Sequence, residues 1–205
     1  AFAHEVDPFE ADITPLVCMN RHYHGDVRTF LQTAWAVDRW HLLASTPEGG
    51  RLGNGHIMDH LWSEVESQST ALLKEVRERS SGPVHLDFTR GTSLVGFGRP
   101  LRAAWAAHEA GERNLDALIQ MANAAIPEEG PPFSAREELP EGVGELRCRL
   151  SQRLLERMLD GAGLEAEGVH IRALLRTPEH MRATHGFDLE AWIDSGLAST
   201  FSLHN

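Results

Sequence analysis

Four short runs along the chain alternate apolar and polar residues with a period of two. Between them lie longer stretches in which apolar residues return every three or four positions. The short runs predict strands at Ile13–Asn20, at Val84–Phe88 (opened by Ser81-Gly82-Pro83), at Val169–Leu175 and at Ser199–His204. Trp62, Val65, Ser69, Leu72 and Val76 predict a helix over about 61–79. Asn114 is placed to cap a helix whose apolar face is Leu115, Leu118, Ile119, Ala122 and Ile126. Leu146, Leu150, Leu154 and Met158 form the stripe of another helix, which Gly161 and Gly163 can end. Asp188 can cap a short helix through Leu189, Trp192 and Ile193, stopped by Gly196. A weaker helical pattern runs over 27–37. Strands separated by helices imply a parallel sheet with right-handed crossovers. Two stretches fit no regular element: about 39–58, and about 127–144 with Pro127, Pro131, Pro132 and Pro140.

The alternation divides each strand into two faces. Val84, Leu86 and Phe88 stand opposite His85 and Asp87. Val169, Ile171 and Ala173 stand opposite His170 and Arg172. Phe201 and Leu203 stand opposite Ser202 and His204, and Cys18 shares a face with Asn20. Wholly structural parallel strands read as near-continuous apolar runs. Burying unpaired charges costs several kcal/mol, on the order of magnitude. The polar faces must therefore converge on one another or open onto a wet pocket. The bland alternative is an internal Asp–Arg pair that only holds strands together.

Composition narrows the function classes. The chain has 205 residues, 41% of them hydrophobic and 24% charged, which is enough for one globular domain. A net charge of -11, with Lys74 the single lysine, argues against nucleic acid as a partner. No apolar run reaches the roughly 20 residues of a membrane span. The Ala1-Phe2-Ala3-His4-Glu5 start shows no signal-peptide pattern and no initiator Met, which suggests processing or a longer parent. Cys18 and Cys148 lack zinc spacing and read as buried thiols. No Gly-rich phosphate loop or G-x-S-x-G elbow is present, and no cofactor is expected.

Three segments carry a family resemblance. Pro83-Val84-His85-Leu86-Asp87-Phe88-Thr89-Arg90 resembles the strand D-G-(I/L)-(E/H)-L-D-F-x-R of bacterial glycoside-hydrolase-like (β/α)8 barrels, relatives of the alpha-amylase-like superfamily. Cys18-Met19-Asn20-Arg21-His22-Tyr23-His24 resembles that family's R-M-N-D-x-H segment. Val169-His170-Ile171-Arg172, followed by Gly186-Phe187-Asp188-Leu189-Glu190-Ala191-Trp192-Ile193-Asp194-Ser195-Gly196-Leu197, resembles its L-x-V-R-V…G-x-D-x-x-x-W-x-x-x-G-L-V-D segment. The similarity covers about residues 13–205 in the family's order. It departs at Gly82-Pro83, where the family has Asp-Gly, at Arg21, and at Ser199, which replaces an Asp.

The resemblance implies an α/β fold of the (β/α)8 TIM-barrel type, a single domain over 1–205 with long loops at its C-terminal face. It also implies an incomplete barrel lacking later strands. The substrate class it implies is carbohydrate. Asp87 becomes the candidate catalytic carboxylate, with Arg172 and Arg90 to keep it ionised. Asn20, His24, His85, Arg90, Arg172 and His204 become candidate substrate contacts. Trp35, Trp40 and Tyr23 are candidates to stack on a sugar. The second carboxyl stays open between Glu179 and Asp26, and Glu179 after Pro178 also reads as an ordinary first-turn acid. A rival is a metal-dependent amidohydrolase-like barrel ligating zinc through His22 and His24, with His170, His204 and Asp87 recruited. His56-Ile57-Met58-Asp59-His60 lacks the Glu of H-E-x-x-H and reads as a helix entry. A third reading is an inactive or truncated barrel that binds sugar without cleaving it.

Overall fold

The computed structural model describes residues 16–18, 41–43, 62–79, 83–88, 94–124, 139–174 and 176–204. Among them five strands form one all-parallel sheet: β1 (Leu16–Cys18), β2 (His41–Leu43), β3 (Val84–Phe88), β4 (Val169–Leu174) and β5 (Thr200–His204). Their order across the sheet is β2-β1-β3-β4-β5. From β3 to β5 successive strands are neighbours, as in a barrel wall. β1 lies between β2 and β3, the order that open doubly wound sheets use. The short strand β2 falls in the stretch 39–58, where the sequence pattern suggests no element.

The described helices of six residues or more are α1 (Trp62–Arg79), α2 (Arg99–Glu109), α3 (Leu115–Ala124), α4 (Val143–Ala162) and α5 (Leu189–Asp194). Trp62, Ser69 and Leu73 are the buried positions described on α1. The Asn114 Oδ1 accepts from the backbone N–H groups of Asp116 (2.9 Å) and Ala117 (3.1 Å), so α3 starts where its cap predicts. The predicted stripe of α4 is buried and extends to Val143 at one end and Ala162 at the other. Gly161 lies inside the helix. The stop is Gly163, at φ +66°, with Leu164 N–H donating back to the Leu159 carbonyl. The Asp188 side chain accepts from Ala191 N–H and caps α5. Trp192 is buried, whereas Ile193 is exposed, which narrows the apolar face predicted for α5.

The sequence reading leaves α2 out. Its opening, Gly98-Arg99-Pro100, resembles a loop, and its buried side chains are Pro100, Leu101 and Ala104, of which two are small or ring-closed. Proline near the first turn of a helix costs nothing, because that N–H has no intrahelical partner. The predicted helix over 27–37, residues 125–138 and the His56–His60 segment lie outside the described residues.

Val84, Leu86 and Phe88 of β3 and Val169 and Ile171 of β4 are all buried in one cluster with Trp62 and Leu73 of α1 and Leu150, Leu154, Leu155 and Met158 of α4. α1 and α4 pack side by side against that face. Burying one such aliphatic side chain contributes about 1.5–3 kcal/mol, so the apolar set fixes which face of the sheet turns inward. Among the described residues, no helix is long and apolar enough to cross a membrane.

Candidate functional site

Register and alternation together assign the sequence-predicted polar residues to places. The apolar partners Val84↔Val169, Leu86↔Ile171 and Phe88↔Ala173 occupy the helix-packed face. The intervening residues belong to the opposite face. There His85 pairs with His170, and Asp87 with Arg172. On either side the rows continue. One runs His41–Leu16–His85–His170–Thr200, and the next runs Leu43–Cys18–Asp87–Arg172–Ser202. A further step toward the C-terminal ends of the strands pairs Leu174 with His204.

Asp87 and Arg172 are thus register partners on adjacent strands, about 4.8 Å apart at the backbone. Both stand at backbone positions held firmly by their neighbours. Asp87 lies between Leu86 and Phe88, and Arg172 between Ile171 and Ala173, all four buried on the far side. Phe88 meets Phe187 edge-on at 5.1 Å and Trp192 at 5.5 Å. That aromatic group ties the end of β3 to α5 and to the segment after β4. Of the candidate contacts, His85, Arg172 and His204 share the sheet face of Asp87. Asn20, His24 and Arg90 lie outside the described residues, as do His22, Asp26, Tyr23, Trp35 and Trp40.

Four carboxylates lie between β4 and β5, with Glu179 and Asp188 the nearest in sequence to β4. Glu179 is exposed in the short helical segment Pro178–His180, which Thr177 caps by accepting from His180 N–H. Its own backbone N–H and the Thr177 hydroxyl hold its carboxyl below the usual range. Asp188 is partly buried, which raises its carboxyl, but the Arg182 fork (2.9 and 3.2 Å) and the Ala191 N–H outweigh this and lower it. Both groups are set to stay ionised, unlike a proton donor. The Cys148 thiol is pushed up to about 11 by burial, so it is not a nucleophile at neutral pH.

Sequence reasoning missed Arg147. It falls on the buried stripe of α4, one turn after Val143 and three residues before Leu150, and is 1% exposed. Its Nε donates to the Val95 carbonyl (2.7 Å), its Nη1 donates to the Ala183 carbonyl (3.1 Å), and its guanidinium lies 4.0 Å from the Phe97 ring centre. A charged residue at an i, i+4 apolar position was the available signal.

A separate open groove of about 730 Å³ runs among α1, α3 and α4, lined by Ser63, Asn114, Asp116, Asn123 and Arg157. Its polar groups partner one another. Arg157 forks onto Glu66 (2.7 and 2.9 Å), Arg153 forks onto Asp116 (2.9 and 2.8 Å), and Ser63 N–H donates to Asn123 Oδ1. It belongs to the helix layer and not to the polar face of the sheet. Among the described residues no group of three or more His, Cys, Asp and Glu stands together as a metal site. No family model, no curated protein and no solved structure matches this chain.

Proposed function

We propose that this chain is a glycoside-hydrolase-like α/β protein that binds carbohydrate at the C-terminal ends of its parallel strands, with Asp87 as the catalytic carboxylate. The observation that carries the reading is the Asp87↔Arg172 register pair, on the face of the sheet opposite the core. In α/β sheets, open or closed, ligands bind where the strands' carboxyl ends deliver side chains. A guanidinium one strand away keeps a carboxylate ionised, which a nucleophile or base at a sugar carbon requires. His85 and His204, in the rows on either side, then serve as hydroxyl contacts. Asn20, His24 and Arg90 belong to the same proposal through the resemblance. Barrel architecture is part of it too, supported by the β3–β4–β5 run of successive neighbours and by the described helices, whose buried side chains share one cluster with a single face of β3 and β4.

The test is hydrolysis of a panel of 4-nitrophenyl glycosides by the purified chain and by Asp87→Asn. The expected result is release of nitrophenol from at least one glycoside and a loss of about 10²–10⁴-fold in kcat for the variant, with its fold intact. Equal turnover by the two proteins would remove Asp87 from the role.

A second reading, a metal-dependent amidohydrolase-like site using His22 and His24, draws on one observation: its further candidates Asp87, His170 and His204 fall on one face of the sheet by register. Stoichiometric zinc in the purified protein, with hydrolysis abolished by a chelator and restored by zinc, would favour it over the sugar-cleaving reading.

A further inference from the structure

Arg147 is the one wholly buried cation among the described residues, and its contacts reach two segments far apart in sequence. Val95 and Phe97 belong to the chain leaving β3. Ala183 and Gly186 belong to the chain leaving β4. At Gly186, where φ is +68°, an added Cβ would lie 2.9 Å from the Arg147 Nε, so the backbone there is moulded against the guanidinium. Burial pushes Arg147 down to about 10, which leaves it cationic at neutral pH. Such burial is costly, and a planar fork is the side chain that can bridge two carbonyls and stack on a ring at once.

We propose that Arg147 is the positioning residue of the site, a clamp that joins the segments following β3 and β4 and so fixes the geometry between Asp87 and Arg172. The inference rests on the functional reading above for its catalytic consequence, but not for the clamp itself. The carbonyl partners of Val95 and Ala183 cannot both be reached with the same geometry by an ammonium on a single stem. Arg147→Lys therefore keeps the charge and loses the bridge.

Amide hydrogen exchange on the full chain tests the clamp. In Arg147→Lys, residues 94–98 and 181–187 should exchange at least tenfold faster together, while α1 and α3 keep wild-type rates. On a nitrophenyl glycoside that the wild type cleaves, kcat should fall at least tenfold with KM within twofold, the pattern of a misplaced carboxylate rather than a lost contact. Unchanged exchange in either segment, or faster exchange spread evenly over the chain, would overturn the clamp. A wild-type kcat in a variant whose two segments have loosened would overturn its positioning role. If Arg147→Lys does not fold, Gly186→Ala displaces the same guanidinium without removing it and is read by the same two measurements. A wild type that cleaves no glycoside would instead count against the functional reading, and the exchange result would still decide the clamp.

Discussion

Asp116 illustrates how a single side chain works in the helix layer. It accepts from Arg153 at 2.9 and 2.8 Å and from Arg157 at 3.0 Å, and the Arg153 bond chiefly holds its carboxyl below the usual range. A carboxylate with a depressed folded value stabilises the fold above about pH 4, its unfolded range. That contribution is lost as pH falls through the lower folded value. Asp116 is 44% exposed at its side chain, so solvent screens the pair. Asp116→Asn should therefore lower stability by under about 1 kcal/mol at pH 7. The difference from wild type should close as pH drops below the carboxylate range, which urea unfolding at pH 7, 5 and 3 would measure. The neighbouring Glu66, 18% exposed and gripped at both oxygens by Arg157, is the better shielded partner of the network.

Elements are set by local chemistry that sequence displays well. The Asn114 oxygen takes up two N–H groups of the first turn of α3. Asn114→Ala leaves them without that acceptor and should cost about 1 kcal/mol, seen as a lower urea midpoint. The same logic located the ends of α4 and α5, because Gly163 and Gly196 adopt positive φ of +66° and +68°, where other residues are strained. It failed at α2, whose opening Gly98-Arg99-Pro100 resembles a loop and has no side-chain cap, and at β2. Three residues, His41-Leu42-Leu43, are too few to show alternation.

For the molecule as a whole, the parallel pairing of β3 with β4 decides how the proposed chemistry would behave. Under the proposed function, Arg172→Met removes the cation that stands in register with Asp87. If ionised Asp87 is the working group, as proposed, the acid limb of kcat/KM should move to higher pH by about 1–2 units. A limb that stays in place would separate Arg172 from Asp87 despite their register. The groove among α1, α3 and α4 lies in the other layer, so substitutions lining it should leave the profile unmoved.

Much of this was already present in the chain. Period-two alternation divided Val84, Leu86 and Phe88 from His85 and Asp87, and Val169, Ile171 and Ala173 from His170 and Arg172, because a strand's geometry forces neighbours to opposite sides. Caps and glycine stops set helix ends for equally local reasons. Which strands adjoin, and in what register, depends on the packing of distant segments, so only the folded chain paired Asp87 with Arg172 and inserted β1 between β2 and β3. The burial of Arg147 is of the same kind. Its carbonyl partners lie 52 and 36 residues away, so its place on the apolar stripe of α4 could flag it but not name the two segments that enclose it.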